Sequence, residues 1–363
     1  MLKKIIMIVT AIIVLPVVGG ALFMLLAPTF GAKPKGTSLE KIQNSSHYRN
    51  GNFENLIETR IDTREKGESM DVHMYLFPEK DKNPARPLPS HQFDKTAFKA
   101  GDFVWFGHST VLFRTNTLSI LTDPVFNRAS PVPIGGKPFE MERTPSVDQL
   151  PEIDVVLISH DHYDHLDHKT IGFLAQTTQL FLVPLGNLAH LERWGVSPSK
   201  VIELDWYESY TLQGTTFTLT PSRHFSGRGL NNRNSTLWGS WVIKSPEFSV
   251  FHSGDTGYFD EFQKIGDRFG PFDIAFIENG AYDKGWAEIH MTPEQSTQTA
   301  IDLKAHAFFP IHWGKFDLAK HQWTDPITRA VTASKALDIQ LVAPQIGQTF
   351  QLSNLPFEPW WQQ

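Results

Sequence analysis

Short apolar runs separated by polar turns dominate the chain from about position 101 to its end. Runs of this kind, rich in β-branched and aromatic residues, are typical of strands that are buried in a sheet. They predict eleven strands, which lie at Phe103–Phe106, Thr110–Arg114, Leu118–Thr122, Val155–Ser159, Leu180–Val183, Val201–Leu204, Thr216–Thr220, Trp238–Lys244, Ser249–His252, Ile274–Ile277 and Ala307–Ile311.

Helical patterns alternate with these runs. The helices are predicted to begin near Lys169, Gly186, Phe259, Thr292 and Asp325. Thr292 is predicted to cap its helix, because Pro293 suits the first turn and Gln295 can close a capping box. Strands followed by a strand–helix alternation predict an α/β fold with the sheets sandwiched between helices, in one domain at residues 101–363.

A different pattern occupies the N-terminus, where Ile5–Leu26 is almost entirely apolar. These 22 residues are enough to cross a bilayer as a helix, so residues 1–32 predict a transmembrane anchor. A cleaved signal peptide is the alternative, although the run is long for one and no small-x-small cleavage site follows it. The lysine pair before the run favours a periplasmic or extracytoplasmic catalytic domain, whereas Lys33 and Lys35 after it weaken that orientation.

Residues 33–100 form a polar, turn-rich segment between the apolar run and the predicted domain. It contains the proline-dense stretch PEKDKNPARPLPSHQ at 78–92. Proline at this density predicts an irregular or extended tether that lies over the surface of the domain.

Composition excludes several classes of protein and site. Of the 363 residues, 40% are hydrophobic and 12% are aromatic, which is enough for a packed core. The net charge is −6 and lysine and arginine are not clustered, so nucleic acid is not an expected partner. The chain has no cysteine, which excludes disulfides, thiolate metal ligands and a cysteine nucleophile. A GxSxG motif is also missing from the sequence, which disfavours a serine hydrolase.

The stretch SHDHYDHLDH, at 159–168, carries the strongest chemical signal in the sequence. His160 and His162 directly follow an apolar run, and side chains two apart on a strand point the same way. Asp164 and His165 then begin a turn. Two pairs of nitrogen and oxygen ligands can serve two metal ions a few ångströms apart, so the spacing predicts a metal site rather than a solvated polar loop.

Residues at the ends of other strands must complete the coordination shells of the two metal ions. His224 follows the run FTLTPSR, Asp255 follows FSVFHSG and His312 follows HAFFPI. A single histidine behind a strand is more often structural, but the three together provide the complement that the main motif needs. Asp123, in ILTDP, is predicted to orient a ligand histidine, with a turn before proline as the alternative.

The motif SHDHYDHLD resembles that of the metallo-β-lactamase superfamily, whose fold is an αββα sandwich with a dinuclear metal site at one edge. The blocks ELDWYE, LWGSW and IHWGKF are similar to those of the N-acyl-phosphatidylethanolamine-hydrolysing phospholipase D family, in order over about 103–318. The resemblance implies one metal bound by His160, His162 and His224, a second bound by Asp164, His165 and His312, and a bridge between them at Asp255. It implies two Zn²⁺, with iron or manganese left open.

The same resemblance implies a catalytic role for Asp164 and for His290, which matches a family position close to the substrate. A capping or surface histidine is the alternative at His290. The implied reaction is hydrolysis of N-acyl-phosphatidylethanolamine by a metal-bridging hydroxide, which releases N-acylethanolamine. The implied partners are membrane phospholipid and, through the N-terminal helix, the bilayer; a homodimer is left open.

Two alternatives to this function remain at this point. The first is a lactonase of the same fold, similar to the ascorbate-6-phosphate lactonases, although a membrane anchor suits a lipid better than a soluble lactone. The second is a non-catalytic envelope protein that binds metal for stability. Structural metal sites are typically closed and mononuclear, whereas seven ligands indicate an open dinuclear centre.

Overall fold

Two seven-stranded sheets form the body of the protein, in a computed structural model that describes residues 2–65, 81–132 and 134–362. In the first sheet the strands lie in the order β16 (Thr349–Gln351), β3 (Asp102–Trp105), β4 (Val111–Arg114), β5 (Ser119–Thr122), β6 (Val155–Leu157), β7 (Leu180–Pro184) and β8 (Val201–Leu204). In the second sheet the order is β15 (Gln340–Leu341), β14 (Ala307–Ile311), β13 (Ile274–Glu278), β12 (Ser249–His252), β11 (Ser240–Lys244), β10 (Thr215–Thr220) and β9 (Ser209–Leu212).

Helices and a short hairpin complete the fold. The hairpin consists of β1 (Tyr48–Arg49) and β2 (Asn52–Phe53). The helices are α1 (Leu2–Leu26), α2 (Gly36–Asn44), α3 (His168–Leu174), α4 (Leu188–Arg193), α5 (Glu261–Phe269), α6 (Pro293–Asp302) and α7 (Asp325–Ala336). Helix α4 contacts β8 of the first sheet, whereas α6 and α7 contact the second sheet at β13, β14 and β15.

Strand alternation divides the core into two parts. On β3, Phe103 and Trp105 belong to the cluster between the two sheets, whereas Val104 faces a second cluster shared with α3 and α4. The ring of Phe103 is fully buried and stacks on Phe113 of its own sheet and Phe276 of the other, with centroids 5.4 and 6.3 Å apart. Burial of such a ring stabilises the fold by about 2 kcal/mol.

All eleven predicted strands are present, with ends that differ by at most three residues from the prediction. The five helices predicted for the domain are also present, and the predicted box at Thr292 is formed. The short edge strands β9, β15 and β16 were not predicted, because they contain few apolar residues. Helix α2 and the hairpin were not predicted either, and both lie in the segment predicted to be a tether.

That segment is partly packed against the domain rather than lying loosely over it. Ile42, Phe53 and Leu88 are buried in the cluster between the sheets. Asn55 accepts a hydrogen bond from the backbone N–H of His224 and donates one to its carbonyl. Positions 66–80, which include the start of the proline-dense stretch, lie outside the described residues. The division into ranges 1–32, 33–100 and 101–363 stays a prediction.

The predicted transmembrane anchor is not supported. Leu2–Leu26 is helical, but its side chains are described only at Lys3, at Ile12 and from Val14 onward. Over the described residues, no helix has both the length and the apolar character that crossing a membrane requires.

The C-terminal end of α1 is instead tied to the domain. Arg193 donates to the carbonyl oxygens of Leu26 and Ala27 at 2.9 and 3.2 Å. Because a helix leaves its last carbonyl groups without intrahelical partners, a guanidinium at this position satisfies them. Arg228, which is fully buried, donates to the carbonyl of Thr29 at 2.9 Å.

The cap of α6 allows a controlled test of local stability. Thr292 Oγ1 accepts the N–H of Gln295, and the Gln295 side chain accepts the N–H of Thr292. We expect Thr292→Ala to lower the free energy of unfolding by about 1 kcal/mol. Thr324 occupies the same position on α7 without a side-chain cap bond, so Thr324→Ala should change it by less than about 0.5 kcal/mol. Equal losses in chemical denaturation would contradict this account.

Candidate metal centre

The histidine-rich motif forms the loop between β6 and α3. Its start is held from both sheets: Asp123 accepts the N–H of Ser159 at 2.7 Å, and Trp241 Nε1 donates to the carbonyl of Ile158 at 3.0 Å. Its end is fixed by Asp167, which caps α3 by accepting the N–H of Lys169. The predicted placement of the motif at the carboxyl end of a buried strand is confirmed.

Three imidazoles converge in the first group of predicted ligands. The Nε2 atoms of His160 and His224 lie 2.9 and 3.2 Å from Nδ1 of His162. One oxygen of Asp255, Oδ2, lies 3.7 Å from Nε2 of both His160 and His224. Four donor atoms so close together match the geometry that a single cation would organise.

The second group contains the other three predicted ligands. Asp164 Oδ2 lies 3.5 Å from Nε2 of His165 and 3.2 Å from Nε2 of His312. The remaining oxygen of Asp255, Oδ1, lies 3.0 and 3.1 Å from the same two nitrogens. Asp255 therefore directs one oxygen to each group, which is the arrangement that the resemblance implies for a bridging ligand.

Asp255 reaches this position because its neighbour is glycine. Gly254 has φ +57, and a Cβ there would lie 2.5 Å from Cβ of Ser159. A larger residue would push the Asp255 loop away from the loop that carries His160. Three residues at the centre that are not glycine also have left-handed backbones: His108 (φ 56), Asp123 (φ 37) and His312 (φ 67). Such strain is typical of functional sites.

The protonation of these groups suits a cation. Burial lowers the pKa values of His160, His162 and His224, so these imidazoles are neutral and able to act as ligands. Burial alone would raise the pKa of Asp255, but His165 and His312 hold it well below its usual value. Among the described residues, His165 Nε2 and Asp255 Oδ1 are buried polar atoms without a hydrogen-bond partner. The donor set therefore fits two metal ions.

Each of three predicted ligand histidines has its other ring nitrogen held. His165 Nδ1 lies 2.8 Å from Asp123 Oδ2, His224 Nδ1 lies 2.9 Å from the Ile289 carbonyl, and His160 Nδ1 lies 2.9 Å from Ser159 Oγ. Partners of this kind fix the orientation of metal-binding imidazoles. Asp123 therefore lies where it can orient His165, which is the role predicted for it.

Two further residues belong to the centre. His108 Nε2 lies 3.0 Å from Asp164 Oδ2, so this histidine joins the second group. His290 lies close to Asp255 and His312, beside the centre, and its catalytic role stays a prediction. Its partner Glu278 was not singled out by the sequence, because only packing brings positions 278 and 290 together.

The comparisons with known proteins agree with this geometry. The model of the beta-lactamase superfamily domain matches residues 119–313, more than half of the chain. The chain belongs to the beta-lactamase superfamily. The resemblance stated from the sequence is confirmed, and so is the α/β metallo-β-lactamase fold. The protein is accordingly a metal-dependent hydrolase.

Relatives of this superfamily member include proteins with and without an assigned activity. The uncharacterized protein Rv0906 of Mycobacterium tuberculosis is 37% identical over 332 residues, which cover 88% of each chain. N-acyl-phosphatidylethanolamine-hydrolyzing phospholipase D 1 of Caenorhabditis elegans is 31% identical over 288 residues, 74% of this chain and 81% of the relative. Igni18, a metallo hydrolase from Ignicoccus hospitalis, shares the fold with a TM-score of 0.54 at 21% identity, over 71% of this chain and 99% of its own.

The contact between Asp123 and His165 predicts an effect on metal affinity. Asp123→Asn replaces a carboxylate oxygen with a group that cannot accept from both Ser159 and His165. We expect the affinity for one metal to fall about 10–100-fold, measured by competition with a chelator. Asp154→Asn is the matched control, since Asp154 accepts the N–H of Ser119 at 2.7 Å away from the centre. If the metal affinity of Asp123→Asn is unchanged, Asp123 does not orient His165 for metal binding.

Metal loading should release protons at neutral pH. Burial opposes a charge on His312, but Asp255 and Asp164 outweigh it and raise its pKa to about 10. At pH 7 the metal-free imidazole is therefore protonated, and a metal can bind only after that proton leaves. Affinity should rise with pH. Calorimetric titration in two buffers of different ionisation enthalpy counts the protons, and His312→Gln should release fewer than the unaltered protein. The same count in both proteins would contradict the assignment.

Proposed function

We propose that this metal-dependent hydrolase is a phosphodiesterase of the phospholipase D type, which releases N-acylethanolamine from N-acyl-phosphatidylethanolamine. The observation that carries the proposal is the two-group centre bridged by Asp255, in a chain with relatives named for this reaction in Caenorhabditis elegans and Saccharomyces cerevisiae at 31% and 32% identity. We further propose two Zn²⁺ as the cofactor, while iron or manganese would suit the same nitrogen and oxygen donors.

Bound at the two groups, divalent ions would lower the pKa of water and offset the charge of a phosphodiester. In the proposed reaction a water oxygen bonds to phosphorus and the bond from phosphorus to the N-acylethanolamine oxygen breaks. The departing oxygen takes up a proton, which leaves phosphatidic acid and N-acylethanolamine. Asp164 and Asp255 hold the centre together, and His290 lies beside it as a proton carrier.

A cavity next to the metal-binding loop supports an amphiphilic substrate. Its volume is about 580 Å³, within the range of small-molecule sites. The lining includes the apolar side chains of Phe23, Phe126 and Leu166 together with the cationic Lys137 and Lys169. Leu166 directly follows His165, so the cavity wall and the centre share one loop. Apolar lining suits an acyl chain, and the lysines suit an anionic head group.

The proposed partners are membrane phospholipid as the substrate and the bilayer as the surface that α1 contacts. The large apolar side chains that α1 exposes, among them Leu15, Leu25 and Leu26 at 67–69% exposure, support the second proposal. An extracytoplasmic location of the catalytic domain, a homodimer and the lack of a nucleic-acid partner stay predictions.

A substrate panel with direct detection of product masses tests the function. The metal-loaded protein is incubated in detergent with N-acyl-phosphatidylethanolamine, simpler phosphodiesters and a set of lactones. We expect phosphatidic acid and N-acylethanolamine from the first. Asp255→Asn keeps the shape of the side chain but removes its charge, so we expect this variant to lose one metal and, with it, several orders of magnitude in turnover.

The outcomes of this panel are distinct. Hydrolysis of lactones without hydrolysis of diesters would favour the lactonase alternative. Two retained metals and a near-normal rate in Asp255→Asn would overturn the assignment of the bridge. Fewer than two metal ions per chain in the unaltered protein would contradict the proposal of a dinuclear centre.

A further inference from the structure

A fully buried carboxylate at the end of β13 has no role in the metal centre described above. Glu278 is the last residue of this strand, and its side chain is 0% exposed. Burial of a charged group costs several kcal/mol unless partners compensate it. The sequence places Glu278 beside Asn279, where the apolar pattern of the strand would favour another apolar residue. Its partners therefore indicate what it is for.

The carboxylate connects two elements of the site. Glu278 Oε1 lies 2.6 Å from Nδ1 of His290 and also accepts the backbone N–H of Met291 at 3.3 Å. Glu278 Oε2 accepts the backbone N–H of Thr256, the residue that follows the bridging Asp255. One side chain therefore holds both the imidazole and the loop that carries the bridge.

The ring of His290 lies beside two of the predicted ligand histidines. Its centroid lies 5.1 Å from that of His224 and 5.5 Å from that of His312. Its side chain is 13% exposed, whereas those of its ring neighbours are 1% exposed. Because Nδ1 is engaged by Glu278, Nε2 is the nitrogen available to a molecule that enters the site.

We propose that Glu278 is a positioning residue that fixes the ring of His290, so that Nε2 delivers the proton that the departing substrate oxygen takes up. Bond making at phosphorus needs no protein base at a dinuclear centre, but the alkoxide of an N-acylethanolamine is a poor leaving group. A positioned acid supplies its proton as the bond from phosphorus to oxygen breaks, and the ring then takes up the proton that the attacking water releases, so the acid is restored for the next turnover. The proposal rests on the proposed hydrolysis at this centre, but it does not depend on the identity of the acyl chain.

The test compares two leaving groups. A substrate that expels a nitrophenolate needs no proton, whereas one that expels an alkyl alcohol does. We expect Glu278→Gln and His290→Asn to lower kcat about 100-fold for the alkyl diester and less than about 10-fold for the nitrophenyl diester. The KM values and the metal count per chain should stay near those of the unaltered protein. The double variant should be no slower than the slower single variant, because the two residues act as one unit.

The variants are chosen to distinguish a loss of the positioning of His290 from a loss of folding. The side-chain amide of His290→Asn replaces Nδ1–H as a donor to Glu278 and removes only Nε2, so it tests the proposal even if Glu278→Gln unfolds. Glu203→Gln is the matched control: Glu203 is a buried carboxylate that accepts the backbone N–H groups of Gly186 and Leu188 outside the centre. It should change neither rate.

A second readout does not depend on activity. In the metal-free protein, the Nδ1–H resonance of His290, assigned by its loss in His290→Asn, should move upfield in Glu278→Gln as the short hydrogen bond weakens. Equal losses of rate for both leaving groups, or an unmoved resonance, would overturn the proposal. Loss of a metal in His290→Asn would make His290 a ligand instead and would also overturn it. If the unaltered protein opens only lactones, alkyl and aryl esters replace the diesters, so the failure of the proposed substrate is distinguishable from the failure of this role.

Discussion

The carboxylate of Asp255 is the point on which the two halves of the molecule converge. It follows β12 of the second sheet, yet its oxygens face His160 and His165, which follow β6 of the first sheet. Asp255 is only 3% exposed, and a carboxylate buried to this extent needs neighbours of opposite charge. His165 and His312 provide them. The two sheets must therefore pack in one relative position, and the cluster of aromatic residues between them, with Phe103 at its middle, provides that rigidity.

The donor atoms of the centre are held by strained backbone conformations, which the surrounding hydrogen bonds stabilise. His108, Asp123 and His312 adopt left-handed backbones, each worth about 1–3 kcal/mol of strain. His108 and His312 hold each other in this conformation, since the N–H of His312 donates to the carbonyl of His108 at 3.0 Å. Lys315 stabilises the backbone near His108 and Asp123, because its Nζ donates to the carbonyls of Phe106 and Val125. A network of this kind keeps donor atoms fixed where hydrolysis requires them.

The N-terminal part of the chain supports the centre although it precedes both seven-stranded sheets in sequence. Asn55 holds the backbone of His224 through two hydrogen bonds. Arg228 joins the carbonyl of Thr29 to those of Asp161 and Leu166 in the metal-binding loop. A displacement of the segment after α1 would leave buried carbonyl groups unpaired, each at a cost of about 1–3 kcal/mol. The cavity lined by Phe23 and Leu166, which is the proposed substrate site, depends on the same docking.

The sequence by itself determined eleven of the strands in the two sheets, the starts of the five helices predicted for the domain and the seven residues that meet at the centre. Short apolar runs indicate which segments are buried strands, and a polar side chain directly behind such a run lies at the end of a strand. His160, His224, Asp255 and His312 were found in this way. The pairing of Glu278 with His290, the entry of His108 into the second group and the docking of Asn55 were decided only by the tertiary structure. Each depends on contacts between segments distant in the chain, where the local pattern contains no signal; Asn55 and His224 are 169 positions apart. Local chemistry therefore identifies the candidate metal ligands, while long-range packing decides how they are oriented.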